Sequence, residues 1–234
     1  MGKLLGGDEK LLETLDKGYV NLVESWGSDE RVIESARMST NKSFQGWDKD
    51  EKLLRYLWTH KHFTPFEMAG ATFEIQAPIF VAREWMRHRT QSYNELSGRY
   101  SELPDLFYYP TRDRLKAGKQ SKTNKQGSEE GFTEVEAAMF LMDIVENTEA
   151  SRKAYEKLLE AGVARELARL VVPVNQYTRF RASANLRNWL AFLELRLGEG
   201  VQWEMKEYAT GLASILEERF PRTYTLFKED HERV

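Results

Sequence analysis

The chain has 234 residues, 41% of them hydrophobic, which is enough to bury a sizeable core as one domain. Its formal net charge of -3 argues against a general nucleic-acid or membrane-surface binder, because such proteins need a net basic surface. The complete absence of cysteine excludes a disulfide framework, a cysteine zinc site and a thiolate nucleophile.

Composition also bears on the compartment. No segment approaches the roughly 20 apolar residues of a membrane span, and residues 1–6 contain no extended apolar run. A chain without cysteine fits a reducing compartment. We therefore expect a cytoplasmic protein that has neither a membrane nor a nucleic acid as a partner.

The first half of the chain predicts helices and one strand. Ser28 is expected to cap a helix that ends near Met38, and a stronger helix is expected after Asp48. Residues 71–77 alternate apolar and polar side chains, the period of a half-buried strand. Pro78 then opens a helix whose buried face is formed by Ile79, Ala82, Trp85 and Met86.

The middle of the chain begins with a polar segment. Residues 116–130 are rich in Lys, Gln, Ser, Gly and Glu and have almost nothing to bury, so we expect an exposed, mobile excursion within one domain. Thr133 and Glu136 form a capping box that opens a long helix ending near Gly162. A further helix is predicted at 165–172, before Pro173.

The last part adds a second strand and two helices. Residues 176–182 alternate again, and Asn185 is expected to cap a helix with leucines on one stripe. The last helix is predicted from about Gln202 to Pro221. Together these elements predict an α+β fold, with helices packed around a small, mainly antiparallel sheet, as a single domain over residues 1–234.

Residues 87–100 carry the densest set of functional groups: three arginines, a histidine, a carboxylate and two serines. A guanidinium offers a fixed fork of donors for phosphate oxygens or a pyrimidine edge. Glu95 can accept from a sugar hydroxyl or a ring N–H, and Gly98 lets the backbone approach a ligand. A solvated, charged surface turn is the alternative. The buried helix face before the segment fixes its direction, so we interpret it as a nucleotide-handling loop.

The same residues resemble the flavin-dependent thymidylate synthases of the ThyX type. Arg87-His88-Arg89, seven residues and Ser97 match the R-H-R-x7-S motif of that family. Other matching segments follow in the family's order: His62-x-Thr64-Pro65-Phe66-Glu67, residues 77–83, Ala168-Arg169, residues 175–180, Asn185-x-Arg187 and Gln202-Trp203-Glu204.

The resemblance implies an enzyme that methylates dUMP to dTMP with bound FAD. 5,10-Methylenetetrahydrofolate supplies the carbon, and FAD reduced by NADPH supplies the hydride, which suits a chain without a thiolate. The family also implies a homotetramer whose sites are shared between subunits. The runner-up is a non-catalytic nucleotide- or RNA-binding module that stacks bases on its tyrosines, among them Tyr93, Tyr100, Tyr108 and Tyr109.

By resemblance, FAD contacts Ser39, His62, Thr64, Glu67, Arg87, His88, Arg89, Glu95, Asn185, Leu186 and Arg187. Residues 185–187 reach it from a neighbouring subunit. The arginines provide the cations that a pyrophosphate needs, since no glycine-rich dinucleotide fingerprint is present. For His62 the alternatives are a packed surface histidine or, with His60, a metal ligand. No third ligand stands at suitable spacing, so we expect no metal.

By resemblance, dUMP contacts Glu84, Trp85, Met86, Arg87, Glu95, Leu96, Ser97, Gly98, Arg99, Arg169 and Arg196. Arg196 and Ser97 are the candidate catalytic residues. Arg196 lies by the uracil edge in the family, where a fixed cation favours the N3-deprotonated ring; its structural alternative is a charge at a helix C-terminus. Ser97 is either a nucleophile on C6 or a donor that positions dUMP. No base is placed beside it by sequence, which favours the donor.

Three positions depart from the family pattern. Glu84 stands where glutamine is frequent, Ala191 replaces a side chain that can touch FAD, and Gly200 stands where histidine is common. The differences at Ala191 and Gly200 bear on the affinity for FAD. The difference at Glu84 bears on the uracil contact.

Overall fold

The computed structural model describes residues 11–231. The strands in this range are β1 (Leu11–Thr14), β2 (Gly18–Trp26), β3 (Gly70–Pro78), β4 (Ser92–Glu95), β5 (Lys119–Gln120), β6 (Ser128–Glu129) and β7 (Tyr177–Asn185). The helices are α1 (Asp29–Arg37), α2 (Trp47–Thr59), α3 (Ile79–Trp85), α4 (Arg112–Lys116), α5 (Glu134–Glu160), α6 (Arg165–Ala168), α7 (Leu186–Arg196), α8 (Trp203–Arg219) and α9 (Pro221–His231). Residues 1–6, which contain no extended apolar run, lie outside the described range.

A five-stranded antiparallel sheet forms the centre of the fold. Its strand order is β1-β2-β3-β7-β4, and β5 and β6 form a separate two-stranded hairpin. Phe73 pairs with Ala182 and Ile75 with Phe180, which aligns the apolar side chains of β3 and β7 on one face. The predicted α+β fold with a small antiparallel sheet is confirmed.

One continuous hydrophobic core lies between that sheet face and the helices. The rings of Phe73 and Trp189 meet edge to face at 5.1 Å, which joins β3 to α7. Trp85 of α3 is fully buried beside Phe192 of α7, with ring centroids 4.7 Å apart. The helices that carry the candidate site are therefore fixed to the sheet through aromatic side chains.

The other sheet face is polar and only partly covered. Glu74 on this face is only 5% exposed. Its carboxylate is satisfied by hydrogen bonds, because Tyr19 donates to one oxygen at 3.0 Å and Arg181 donates to the other at 3.2 Å. The alternation at 71–77 predicted a strand correctly. Thr72 and Gln76, the other two polar residues of the alternation, keep part of their surface exposed, so the predicted half-buried strand is confirmed.

Several predicted helix starts are confirmed. Ser28 accepts from the backbone N–H of Arg31, Asn185 accepts from that of Asn188, and the capping box at Thr133 is present with both of its hydrogen bonds. Asp48 lies inside the first turn of α2, which begins at Trp47.

The C-terminal prediction was wrong in one respect, because α8 ends at Arg219 and another helix begins at Pro221. Proline is favoured at a first helical position, where its missing N–H is not needed. The buried carboxylate of Asp29 accepts from the backbone N–H groups of Arg222 at 2.8 Å and Thr223 at 3.1 Å, and so caps α9 from another part of the chain.

Two other segments differ in detail from the expectation. The helix predicted at 165–172 is α6 followed by a 3₁₀ turn, Arg169–Val171. The polar excursion at 116–130 is largely exposed and carries the β5–β6 hairpin. Within residues 11–231, no helix combines the length and apolarity needed to cross a bilayer.

Candidate active site

The turn that carries Arg87, His88 and Arg89 follows α3 directly. The indole N–H of the buried Trp85 donates to the side-chain oxygen of Gln91 at 3.0 Å. The hydroxyl of Tyr93 on β4 donates to the carbonyl of His88 at 2.8 Å. These bonds tie both ends of the turn to the core, so its side chains have defined directions.

Within the turn, the two arginines and the histidine point to different surroundings. Arg87 and Arg89 are exposed, and among the described residues neither has a carboxylate at ion-pair distance. His88 is half-buried, with its ring edge-on to Phe192 at 4.7 Å. The turn therefore offers two cations to an anionic ligand, while the histidine faces α7.

His88, Arg196 and Glu84 form one cluster. The Nε of Arg196 donates to the Nε2 of His88 at 2.8 Å, and its Nη1 forms an ion pair with the carboxylate of Glu84. Both side chains of the pair are mostly buried, at 18% exposed for Arg196 and 24% for Glu84. Burial, together with the adjacent guanidinium, lowers the pKa of His88 to about 4. The ring is therefore neutral near pH 7 and accepts through Nε2.

The second half of the motif is held by β7. Strand β4 pairs with it, and Thr178 on β7 donates to the carboxylate of Glu95 at 2.6 Å. The hydroxyl oxygen of Ser97 accepts from the backbone N–H of Arg99 at 3.3 Å. Arg99 itself pairs with Glu166 at 3.2 Å, an exposed contact that a competing anion can replace at little cost.

Gly98 brings the loop close to Arg169. A Cβ at this buried position would lie 3.1 Å from Leu103 and 3.4 Å from the Cδ of Arg169. The close approach that this glycine permits is with side chains of its own chain. As a result, Ser97, Arg99 and Arg169 lie together around one turn.

A second group gathers at the N-terminal end of α7. Arg187 forms an ion pair with Glu67, and its guanidinium lies 5.7 Å from the ring centroid of Phe63. Asn188, one residue further, donates to the carbonyl of Thr90 at 3.2 Å. One chain thus places Glu67 and Arg187 next to the turn that carries the motif arginines.

The remaining predicted FAD residues lie at the edge of this group. Thr64 and His62 are exposed in and before the 3₁₀ turn Thr64–Met68. Ser39 is exposed, and its hydroxyl donates to the carbonyl of Ala36 at 2.9 Å; no contact joins it to the other predicted residues in the part of the chain that is described. Leu186 is fully buried, as is Trp85, so neither side chain faces a ligand.

Sequence reasoning missed a cleft of about 730 Å³ beside α7. Its apolar and aromatic walls are formed by Trp58, Phe63, Leu190, Ala191 and Phe227, with Lys61, Arg187, Glu194, Asp230 and His231 among the polar residues. Its size and mixed lining suit an organic ligand with a flat ring system. The helical spacing of Arg187, Ala191 and Glu194 is a signal that points to this face.

The donor set fits the cofactor that the resemblance implies. Arg87 and Arg89 are cations suited to a pyrophosphate, and the aromatic cleft beside Arg187 suits a flat heteroaromatic ring. Among residues 11–231, no three His, Asp or Glu side chains converge as a metal-binding group.

Comparison with known proteins decides the family. A family model described as "Thymidylate synthase complementing protein" matches residues 21–222. The chain is 44% identical over 218 residues to the flavin-dependent thymidylate synthase of Thermus thermophilus, a match that covers 93% of this chain and 78% of that protein. The chain belongs to the flavin-dependent thymidylate synthase family.

Other flavin-dependent thymidylate synthases and a solved structure agree. The protein of that name from Thermotoga neapolitana is 42% identical, with 92% of this chain and 93% of that protein covered. The crystal structure of the UMP/dUMP methylase PolB from Streptomyces cacaoi bound with 5-Br dUMP superposes with a TM-score of 0.83 at 32% identity, covering 93% of this chain and 97% of that one.

Proposed function

We propose that the protein methylates dUMP to dTMP, with 5,10-methylenetetrahydrofolate as the carbon donor and NADPH as the reductant of a bound FAD. The juxtaposition of the exposed Arg87 and Arg89 with the buried Arg196 cluster, in a chain of this family, is the observation that carries the proposal. When bound, FAD supplies the hydride for the methyl group.

Arg87 and Arg89 hold the anionic part of FAD, His62, Thr64 and Glu67 border its ring system, and residues 185–187 of a neighbouring subunit complete the site. Within each chain, the ion pair between Arg187 and Glu67 cancels the charge of each side chain and limits its motion, so it fixes the position of Arg187 beside the cleft. The apolar walls of the cleft beside α7 suit the face of a flat ring.

Arg99 and Arg169 take the phosphate of dUMP, with Ser97 donating a hydrogen bond. Both arginines lie around the turn at Gly98, and the partner that the phosphate must displace from Arg99 is the exposed Glu166. Glu166 is released from Arg99 when the phosphate binds.

Arg196 acts on the uracil ring. Its guanidinium is held in place before the substrate arrives, so it can stabilise negative charge on the ring without reorganisation. Because His88 is neutral, Arg196 is the cation of that cluster. Polarisation by this charge takes the place of covalent activation by a thiolate, which a chain without cysteine cannot provide.

We further propose a cytoplasmic homotetramer of single-domain chains, in which residues 185–187 of one subunit complete the FAD site of another. A mixing experiment tests the sharing. An Arg99→Ala chain and an Asn185→Ala chain, each inactive alone, should recover activity in mixed oligomers. Verified mixed oligomers without activity would contradict it.

The direct test of function is the reaction itself. Purified protein reconstituted with FAD should oxidise NADPH faster with dUMP present and form dTMP when methylenetetrahydrofolate is added. UMP should be tested beside dUMP, because the solved relative from Streptomyces cacaoi is a UMP/dUMP methylase. A protein that cannot be loaded with FAD but binds RNA would favour the non-catalytic alternative.

A further inference from the structure

We propose that Glu84 and His88 are positioning residues that act through Arg196, together fixing the direction in which its guanidinium faces the substrate. This inference rests on the proposed function, which assigns Arg196 to the uracil ring. It gives Glu84 a role that differs from direct contact with dUMP.

The guanidinium of Arg196 bonds to the chain with only some of its donors. A guanidinium has five N–H groups. Nε donates to the ring nitrogen of His88 at 2.8 Å, Nη1 to the carboxylate of Glu84, and Nη2 lies 3.4 Å from the backbone carbonyl of Glu84. All three nitrogens therefore have an acceptor in the chain, while two N–H groups are left for a ligand.

Both acceptors of Arg196 are themselves held in place. Glu84 lies on α3 next to Trp85, which is fully buried in the core. The backbone of His88 is held by the hydroxyl of Tyr93, and its ring rests against Phe192, one turn before Arg196 on α7. The long, flexible side chain of Arg196 is thus clamped by two rigid partners. Because this side chain is already ordered before the substrate binds, it loses less entropy when the transition state forms.

The contact between Arg196 and His88 also depends on charge. The groups that face His88 are the guanidinium of Arg196 and, beyond it, the carboxylate of Glu84, with the Tyr93 hydroxyl on its carbonyl. A protonated ring would put a second cation against Arg196, and Nε2 would no longer accept. The clamp therefore requires the neutral ring, and the low pKa of His88 agrees with this geometry.

The test compares variants that remove an acceptor of Arg196 with variants that replace the residue but keep an acceptor. Glu84→Leu and His88→Leu each remove an acceptor, and each should lower kcat at saturating dUMP roughly tenfold, with FAD content unchanged. Glu84→Gln and His88→Gln keep an acceptor oxygen, and their kcat should stay within about threefold of wild type. Glu51→Leu is the matched control, because Glu51 pairs with Arg222 between α2 and α9, outside the site, and should leave kcat unchanged.

The decisive measurement is the double variant. If Glu84 and His88 act through Arg196, neither leucine substitution should lower kcat further in an Arg196→Ala background. Losses that multiply would show that Glu84 or His88 contacts the substrate independently and would overturn the inference. Wild-type kcat in both leucine single variants would also overturn it.

The titration of the His88 ring can be measured without the enzymatic reaction, so it tests this inference separately from the proposed function. The chain has four histidines, so ¹⁵N NMR with single variants can assign the ring of His88. Its titration should move to higher pH in Arg196→Ala. If the wild-type chain forms no dTMP, the proposed function fails, and the titration alone tests the clamp. A His88 titration that is unchanged in Arg196→Ala would overturn the clamp. If a leucine variant does not fold, the glutamine variants and the titration carry the test.

Discussion

The indole N–H of Trp85 and the side-chain oxygen of Gln91 form a buried hydrogen bond of 3.0 Å that spans the turn bearing the motif arginines. Gln91 is 7% exposed, and its oxygen also lies 3.2 Å from the hydroxyl of Tyr93. One amide therefore joins the end of α3 to β4. The conformation of the exposed arginines depends on this interior contact.

Replacing Gln91 by leucine should destabilise the protein. The substitution leaves the Trp85 N–H buried without an acceptor, at a cost of about 1 to 3 kcal/mol in the free energy of unfolding. FAD content should fall as well, because the turn that carries Arg87 and Arg89 loses its brace. Denaturant unfolding and flavin absorbance measure the two effects; unchanged stability would show that the hydrogen bond contributes little.

Ser97→Ala should keep measurable methyl transfer and bind dUMP more weakly. The hydroxyl oxygen of Ser97 accepts from the backbone of Arg99, and the described residues place no base at hydrogen-bond distance from this hydroxyl. The expected cost of one lost donor is about 1 kcal/mol, or roughly a fivefold rise in the dissociation constant of dUMP. Complete loss of turnover at saturating dUMP, with flavin reduction intact, would instead support a nucleophile.

The titration of His88 predicts a pH dependence of stability. Burial and Arg196 lower the pKa of His88 from 6.5 to about 4, so between these values the unfolded chain binds a proton that the folded chain does not. The free energy of unfolding should therefore fall as the pH is lowered through that window. His88→Gln should flatten this part of the profile. An equal slope in both proteins would argue that the folded ring protonates freely.

Two glycines should respond oppositely to alanine. A Cβ at Gly18 would lie 1.9 Å from the hydroxyl of Tyr208 and 2.7 Å from the carbonyl of Thr14, so Gly18→Ala should cost at least about 2 kcal/mol. The nearest atoms to a Cβ at Gly211, inside α8, are 3.7 Å away. Gly211→Ala should therefore stabilise the helix, by up to about 1 kcal/mol. Thermal unfolding of both variants checks the signs.

Elements with a strong local signal were predictable from the sequence. The capping box at Thr133 and the alternation at 71–77 depend on neighbouring residues, and both identified their elements. Strand β4 has the sequence Ser-Tyr-Asn-Glu, with no apolar alternation, and exists because it pairs with β7 far along the chain. The sequence pattern does not predict helix α9, because Pro221 is typical of a helix end, whereas Asp29 supplies a cap that no local pattern shows.

The candidate site likewise combines residues that a local motif identifies with contacts that only the fold creates. The motif at 87–99 was visible in the sequence, and its resemblance gave the family. The contact between His88 and Arg196 joins residues 108 positions apart, so only the packing of α3 against α7 brings it about. The cleft beside Arg187 depends in addition on α9, the helix that the sequence did not predict.

Helix α7 carries Arg187 in its first turn and Arg196 at its last residue. At about 1.5 Å of rise per residue, their Cα atoms lie about 13 Å apart along the axis, a length that backbone hydrogen bonds hold constant. In the proposed function Arg196 acts on the uracil of its own subunit and Arg187 reaches the FAD of a neighbouring subunit, so one rigid helix sets the distance between two active sites. One inserted residue would rotate one end by about 100° against the other. Evolution of this enzyme can therefore lengthen the loops on either side of α7 far more easily than the helix itself.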